Sequence, residues 1–274
     1  MGHLIRNLIR VSSLAALMLP LVSSAVTPDE TDPNKIMAAV DARPDGDKST
    51  ARLVMVVKDS AGRERKRVVQ SRSIEFSGGT KQLMLFEQPA DVRNTGLLSI
   101  DYDDGNKDDD QWLYLPSLRK STRISSSDKS GSFMGTDLSY SDMTRQDPSS
   151  YTYKLLEQSK TVGGDDCWVI EARPKTAKAK DETGYVKSMI WVSKSKLLPV
   201  RAKNWVREGK KIKYIKFSKI KQVEGIWIAH KITAQTKRGK EVESTTVMSF
   251  QEYKLNQAGV TDADFNQRRL EKGL

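Results

Sequence analysis

Short runs of alternating apolar and polar residues, separated by turn signals, fill most of the chain between residues 53 and 253. A period of two is typical of β-strands with one buried face and one face in water. Tight turns such as Gly163-Gly164 and Arg238-Gly239 indicate that successive strands pair antiparallel. The sequence therefore predicts a mainly β (α+β) protein with strands at 53–57, 65–76, 81–87, 95–102, 111–115, 151–161, 167–172, 185–192, 200–207, 211–219, 226–236 and 242–253.

Two short helices are predicted, one on each side of the strands. Residues 33–42 place apolar residues at helical spacing, and Asp32 precedes them as a cap, with Pro33 in the first turn. Near the C-terminus, Thr261 is placed to cap a second short helix. The apolar residues that the helices would bury are Ile36, Met37 and Val40 in the first, and Phe265 and Leu270 in the second.

The region 121–148 breaks the strand pattern. It opens with a loop rich in serine and lysine, and then places Phe133, Met134, Leu138 and Met143 inside a polar frame. One interpretation is an insertion that plugs the mouth of a curved sheet. The other is an ordinary crossover loop that its apolar residues pin in place.

The first 25 residues have the composition of a secretory signal peptide. Arg6 and Arg10 form a positive region, an apolar stretch of about a dozen residues follows, and Ser23-Ser24-Ala25 supplies small residues at the cleavage point. A membrane-spanning helix needs a longer apolar stretch, of ~20 residues. We therefore expect export across the inner membrane, cleavage after Ala25, and a periplasmic protein with a single domain over residues 26–274.

Charge and cysteine content limit the partners that we expect. Loss of Arg6 and Arg10 leaves 44 basic against 35 acidic residues, a net charge of +9. Export argues against nucleic acid, whereas an anionic membrane surface attracts basic residues by ~1 kcal/mol each. The excess of lysine could equally keep the sheet edges soluble. Cys167 is the only cysteine, so the chain forms no internal disulfide and depends on its core for stability.

Histidine and cysteine, which serve many enzymes and metal sites, are sparse in the sequence. His230 is the only histidine after the signal peptide, and no Gly-x-Ser-x-Gly segment offers a nucleophile. The acidic loop 101–110 fails the calcium-loop pattern, because Gly105 stands where a ligand should be, and it is predicted to be a solvated hairpin. We therefore expect no enzyme activity, no cofactor and no metal.

Two segments together resemble a known family. They are QWLYLP at 111–116, followed by a strand with arginine and lysine, and SFMGTDLSYSDM at 132–143; shorter segments at 89–96 and 196–200 agree. They resemble the LolA-like outer-membrane lipoprotein-sorting family, in the branch often found beside RND-type lipid exporters. The resemblance implies a strongly curved, half-open antiparallel β-barrel with short helices across its concave face. It also implies that acyl chains are held inside the concavity, with an inner-membrane RND-type transporter as a partner.

A carrier of acyl chains needs a continuous apolar surface. A 16-carbon chain gains on the order of 13 kcal/mol when it leaves water, at ~0.8 kcal/mol per CH₂. The same apolar residues could instead fill a closed core, and alternation alone does not separate the two. The candidate lipid-binding residues are Met84, Phe86, Leu98, Ile100, Trp112, Tyr114, Phe133, Met134 and Leu138.

Two functions follow from this sequence. The first is a periplasmic carrier that binds the acyl chains of lipids or lipoproteins and moves them toward the outer membrane, together with an RND-type exporter. The second is a periplasmic sensor or regulatory subunit that binds lipid and signals to an inner-membrane partner.

Overall fold

The computed structural model describes residues 26–105 and 107–274, so the predicted signal peptide lies outside the described residues. Thirteen antiparallel strands form one curved sheet that does not close. Three short α-helices accompany it, and none of the helices in the described part of the chain is long and apolar enough to cross a membrane. The predicted fold class is confirmed. The elements are α1 (Pro33–Asp41), β1 (Lys48–Asp59), β2 (Glu64–Phe76), β3 (Gly79–Gln88), β4 (Gly96–Tyr102), β5 (Asp110–Leu115), β6 (Lys120–Arg123), β7 (Tyr151–Val162), β8 (Asp165–Pro174), α2 (Ala177–Thr183), β9 (Tyr185–Ser193), β10 (Leu198–Val206), β11 (Lys211–Val223), β12 (Ile226–Arg238), β13 (Glu241–Leu255) and α3 (Gln267–Lys272).

The strand order divides the sheet into two meanders that meet in its middle. Strands β1 to β6 follow one another to one edge, and strands β13 back to β7 follow one another to the other edge. β1 and β13 join the two meanders by pairing from Ser49↔Leu255 to Asp59↔Ser244. Consecutive strands within each meander are neighbours, as the tight turns predict.

Residues 124–150, here called the crossover segment, connect the two edge strands β6 and β7. The segment packs on the inner face of the sheet, which we define as the face that carries Met55 and Phe86. Phe133 and Leu138 are buried in one cluster with these two side chains. The region that broke the strand pattern is therefore a crossover connection, and its apolar residues fill the inner face of one half of the sheet.

Two carboxylates, Asp137 buried and Asp142 partly buried, anchor the crossover segment to the inner face. Asp137 accepts hydrogen bonds from the hydroxyls of Thr236, Ser244 and Thr246, the last at 2.7 Å. Asp142 accepts hydrogen bonds from the Tyr185 hydroxyl at 2.8 Å and from the Lys213 ammonium at 2.7 Å. Charged acceptors with several donors form the stronger class of protein hydrogen bonds, so the segment is fixed to β9, β11, β12 and β13.

Helix α3 packs on the outer face, opposite to the crossover segment. Leu270 is fully buried, and with Phe265 it contacts Leu83, Leu85 and Leu98. Leu83 and Leu85 alternate along β3 with Met84 and Phe86, and alternate residues of a strand point to opposite faces. The C-terminal helix therefore lies on the face opposite to the crossover segment, whereas the resemblance placed all the short helices on one face.

Helix α1 packs on the inner face of the β7–β9 half. Asp32 caps it by accepting from the Asn34 backbone N–H at 2.8 Å, and Pro33 is its first residue, as predicted. Ile36 is fully buried against Trp168 and Ile170. This placement leaves a gap between α1 and the crossover segment, which is where the candidate site lies.

Candidate functional site

Short side chains meet in register on the inner face of β8, β9 and β10. Ala172 is paired with Ser188, and Ser188 is paired with Asn204. Ala202, two residues before Asn204, belongs to the next row on the same face, where it is paired with Ile190. Because these side chains are short, they leave space between the sheet and the elements that cover it.

An apolar cavity of about 370 Å³ occupies this space. Helix α1 covers it with Met37 and Val40, and the crossover segment covers it with Pro148. The volume lies within the range of ligand pockets, roughly 300–1,000 Å³. The sheet contributes mainly apolar and aromatic side chains to the wall: Tyr151, Tyr153, Ala172, Tyr185, Ile190, Ala202 and Phe217.

The tyrosines of the cavity wall stay uncharged. Burial raises the pKa of Tyr151, Tyr153 and Tyr185 above the ordinary value of a phenol. Tyr151 donates its hydroxyl proton to Gln146 Oε1 at 2.6 Å, and Tyr185 donates to Asp142. Because each phenol remains protonated at neutral pH, the wall presents aromatic carbon and neutral hydroxyls to the cavity.

A larger polar space, here called the acidic chamber, adjoins the apolar cavity. Its volume is about 750 Å³, and its lining includes ten acidic and five basic side chains. This balance is opposite to that of the chain, which has 46 basic and 35 acidic residues. The two spaces have seven lining residues in common: Asp41, Arg43, Asp45, Arg145, Gln146, Pro148 and Tyr151.

Asp101 on β4 is the most buried carboxylate that lines the acidic chamber, with 9% of the residue exposed. Burial, and to a lesser extent the neighbouring carboxylate of Asp109, raises the pKa of Asp101 to about 7. Burial also raises the pKa of Asp45 and Asp109. No donor among the described residues bonds Asp101 Oδ1. The backbone N–H of Arg145 hydrogen-bonds the carboxylate, so one of its two oxygens is left without a donor in the part of the chain that the structure describes. An unpaired buried acceptor costs about 1–3 kcal/mol, and more when it is charged.

Arg145 ties together three elements at the border of the two spaces. Its Nε and Nη2 donate to Asp41 at the end of α1, at 2.7 and 2.6 Å. Its Nη1 donates to Asp103 in the β4–β5 loop at 3.0 Å. These bonds raise the pKa of Arg145 above its ordinary value, chiefly through Asp41. Arg145 therefore links α1, the crossover segment and the β4–β5 loop.

The nine residues predicted to bind lipid lie on both faces of the sheet, and none of them borders the apolar cavity. Their role in lipid binding stays a prediction. On the inner face, Met84, Phe86, Phe133 and Leu138 are buried in the cluster with the crossover segment, and Met134 packs against that cluster. On the outer face, Leu98 is buried beneath α3, Trp112 and Tyr114 pack beside it, and Ile100 follows Leu98 on the same side of β4.

His230 and Cys167, the other residues that the sequence singles out, make contacts within the fold. His230 Nδ1 lies 3.2 Å from the Ile228 carbonyl, and its ring packs edge-on against Tyr253. Cys167 is buried as predicted, and burial raises the pKa of its thiol to about 11. Across residues 26–105 and 107–274, no group of three or more His, Cys, Asp or Glu side chains could hold a metal ion. The acidic loop is not simply a solvated hairpin, because Asp101 is buried.

Sequence reasoning missed both the cavity residues and Asp101. The short residues Ala172, Ser188 and Ala202 are unremarkable one by one, and only the strand register brings them together. Asp101 does carry a signal, since it falls on the buried phase of β4, two residues after Ser99 and four after Leu97. A carboxylate at a buried position of a strand is unusual and indicates either a partner or a site.

Comparisons with known proteins place the chain in a family. A family model described as an uncharacterized protein matches residues 78–272, and none of the curated proteins matches. A structure described as an outer membrane lipoprotein-sorting protein domain, from Vibrio parahaemolyticus, is 30% identical with a TM-score of 0.78, over 87% of this chain and 97% of that one. A DUF1329 family protein from Desulfovibrio piger is 30% identical with a TM-score of 0.79, over 89% of this chain and 100% of that one.

A third structure extends the comparison to a wider group. A LolA superfamily protein from Nitrosomonas europaea has a TM-score of 0.63 at 18% identity, over 87% of this chain and 99% of that one, and so shares the fold. The resemblance to LolA-like outer-membrane lipoprotein-sorting proteins is confirmed, while the branch beside RND-type exporters stays a prediction. The chain belongs to the DUF1329 family, and its fold is that of the LolA superfamily.

Proposed function

We propose that the protein is a periplasmic carrier that holds acyl chains of lipids or lipoproteins in its apolar cavity and moves them toward the outer membrane. The apolar cavity between α1, the crossover segment and strands β7 to β11 carries this proposal. Each CH₂ group that enters it gains ~0.8 kcal/mol. A cavity on the inner face of an open sheet shelters a hydrocarbon tail that water would otherwise surround.

The cover of the cavity suits a carrier that must load and unload. Helix α1 has nine residues, and a helix of this length is marginal by itself, so it depends on its contacts with the sheet. Its last residue, Asp41, is held by the Arg145 ion pair at the border of the cavity. Release of this pair would open the cavity without disturbing the strands.

The comparisons and the N-terminus support the compartment and the cargo class. The Vibrio relative is described as an outer membrane lipoprotein-sorting protein domain. The predicted signal peptide, cleaved after Ala25, would bring this chain to the periplasm. The resemblance to the branch beside RND-type exporters supports a transporter of that class in the inner membrane as the partner that supplies the cargo.

The outer face of β9 and β10 supports transient contact with an anionic membrane surface. Trp191 is paired with Arg201, and Trp205 with Lys187, on the face opposite to the cavity. Lys187 and Lys203 each lie 4.5 Å from the centre of the Trp205 ring. Tryptophan favours the membrane interface and basic residues favour anionic headgroups, so this face would bring the carrier to the membrane.

A variant that fills the cavity tests the proposal. Ser188→Leu and Ala202→Phe each place a larger side chain in the wall of the apolar cavity, and each should weaken binding of a fluorescent fatty acid at least tenfold. Met189→Phe is the matched control, because Met189 lies on β9 beside Ser188 but points to the outer face. Circular dichroism confirms that each variant is folded.

Transfer between vesicles then separates a carrier from a sensor. The protein with its natural sequence should accelerate movement of labelled lipid from donor to acceptor vesicles, and the filled variants should not. If the filled, folded variants bind fatty acid as tightly as the control, then the cavity is not the acyl site. Binding without transfer would instead favour the lipid-binding sensor.

A further inference from the structure

The acidic chamber carries an inference about the cargo, which rests on the proposed carrier function. We propose that the chamber takes the cationic amine head group of an amphiphile whose hydrocarbon part lies in the apolar cavity. The ligand class is therefore an aliphatic chain that ends in, or leads to, a protonated amine.

The apolar cavity and the acidic chamber are arranged to hold the two ends of one molecule. The two spaces adjoin and have seven lining residues in common. The lining of the apolar cavity is mainly aliphatic and aromatic, while the lining of the acidic chamber has twice as many acidic as basic side chains. An amphiphile has the same two-part character, so a single molecule can satisfy both walls only if its polar end complements negative charge.

The carboxylate of Asp101 also favours a cation, because one of its oxygens lacks a donor among the described residues. Asp101 lines the chamber at 9% exposure, and no donor in the described part of the chain reaches its Oδ1. An ammonium group offers up to three N–H donors and a positive charge, which complement a carboxylate oxygen that has no donor. The raised pKa of Asp101 is consistent with this role, because a bound cation would restore the charged form.

None of the five basic residues in the lining of the chamber forms an ion pair with Asp101. Arg43 donates to two backbone carbonyls, and Lys107 lies over the Tyr102 ring. Arg145 is held by Asp41 and Asp103. Lys178 is paired with Asp108, and Lys129 lies 3.7 Å from Glu182. Asp101 remains outside all of these pairs, and buried, which makes it the residue that an incoming amine would meet.

Calorimetric titration with three probes of equal chain length tests the inference. The probes are n-decylamine, n-decanol and n-decanoate at pH 7.5. We expect decylamine to bind at least tenfold more tightly than decanol, and decanoate to bind most weakly. Asp101→Asn should lower the affinity for decylamine at least fivefold and leave the affinity for decanol unchanged. Asp91→Asn, an exposed carboxylate outside both linings, is the matched control.

The outcomes separate this inference from the proposed function. Equal affinities for decylamine and decanol would overturn the amine preference and leave the carrier function standing. An unchanged preference for decylamine in folded Asp101→Asn would also overturn the assignment of the amine to Asp101. Failure of all three probes to bind would overturn the carrier function itself.

Discussion

Buried carboxylates on the inner face differ in how well they are satisfied. Asp137 accepts from three hydroxyls, and Asp142 accepts from a phenol, an ammonium and a backbone N–H. Asp101 is nearly as buried as Asp137 and more buried than Asp142, but it has an oxygen with no donor. At the scale of single residues, the first two carboxylates stabilise the fold, whereas the third lowers stability and is therefore the one available for a ligand.

The first prediction concerns Asp101 and pH. In the folded protein its pKa is about 7, and in the unfolded chain it returns to the ordinary 3.8. Between these values the folded state binds more protons, so the free energy of unfolding falls as pH rises through this window. Asp101→Asn should therefore be more stable than the natural sequence at pH 8 by on the order of 2 kcal/mol, with a smaller difference at pH 4.5.

Urea unfolding at the two pH values measures this difference. Asp109, Lys129 and Arg145 also act on Asp101, and all three residues are unchanged in the variant. An advantage of the same size at pH 4.5 and at pH 8 would show that Asp101 does not titrate in this window.

The second prediction concerns Asp137. Asp137→Ala leaves the hydroxyls of Thr236, Ser244 and Thr246 without their acceptor at a buried position, and it detaches the crossover segment from β12 and β13. We expect the free energy of unfolding to fall by about 3 kcal/mol. Asp128→Ala, an exposed position in the same segment, should change it by about 0.5 kcal/mol or less. Equal effects of the two changes in denaturant unfolding would contradict the anchoring role.

The position of a single residue was predictable from the sequence where it depends on one helix or strand. It was not predictable where it depends on how two elements pack together. The cap at Asp32 and the buried Ile36 follow from the spacing within one helix. Met84 and Leu98 both alternate correctly on their own strands, yet they lie on opposite faces. Strand register and sheet curvature decide which face of the sheet contains a cavity, and the alternation within one strand predicts neither of them.

At the scale of elements, strongly alternating strands were predictable and weakly patterned elements were not. β6 has four residues with one buried position, and the sequence marked it only as a strand with arginine and lysine. Helix α2 buries only Ala179 and Thr183 and has no apolar stripe, so its sequence shows no helical periodicity. At the C-terminus, Thr261 caps a 3-10 turn over Asp262–Asp264, while Asn266 caps α3 itself.

The third prediction belongs to α1 as the movable cover of the apolar cavity. Asp41→Ala removes the ion pair that fixes the end of α1 to Arg145. Because Arg145 is partly exposed, the pair contributes at most about 1 kcal/mol. Amide hydrogen exchange in residues 33–42 should therefore quicken up to roughly fivefold, with release of bound fatty acid quickening in parallel.

Lys35→Ala provides the comparison for the third prediction. Lys35 lies on α1 but is largely exposed, and its nearest carboxylate is 3.9 Å away. It should leave both rates unchanged. Faster hydrogen exchange in Asp41→Ala without faster release of fatty acid would mean that α1 is not the cover through which cargo passes.

At the scale of the whole molecule, the two faces of the open sheet carry different kinds of side chain. The inner face holds the apolar cavity and the acidic chamber, while the outer face of β9 to β11 alternates aromatic with basic side chains. The period of two that made the strands predictable also makes this division possible, since adjacent residues of one strand serve opposite faces. The net positive charge of the chain thus coexists with an acidic interior.

The fourth prediction concerns contact between the outer face and a membrane. Arg201 and Lys203 lie on the outer face of β10, beside Trp191 and Trp205. Arg201→Glu combined with Lys203→Glu removes two positive charges, each contributing ~1 kcal/mol near an anionic surface, and should weaken binding to anionic vesicles at least roughly 30-fold. Both the natural sequence and the double variant should bind neutral vesicles weakly.

The control for the fourth prediction keeps the change in net charge and alters its position. Lys66→Glu combined with Lys254→Glu places the same charges at exposed sites on β2 and β13, away from the tryptophans. If position matters, this variant binds anionic vesicles far more tightly than the β10 variant in co-sedimentation at equal salt. If both variants lose binding equally, then only the overall charge attracts the protein, and the outer face of β10 has no special part in docking. Neither pair of changes touches the inner face, so both variants should bind a fluorescent fatty acid with the same affinity. Slower transfer between vesicles by the β10 variant would then be due to weaker docking on the membrane alone.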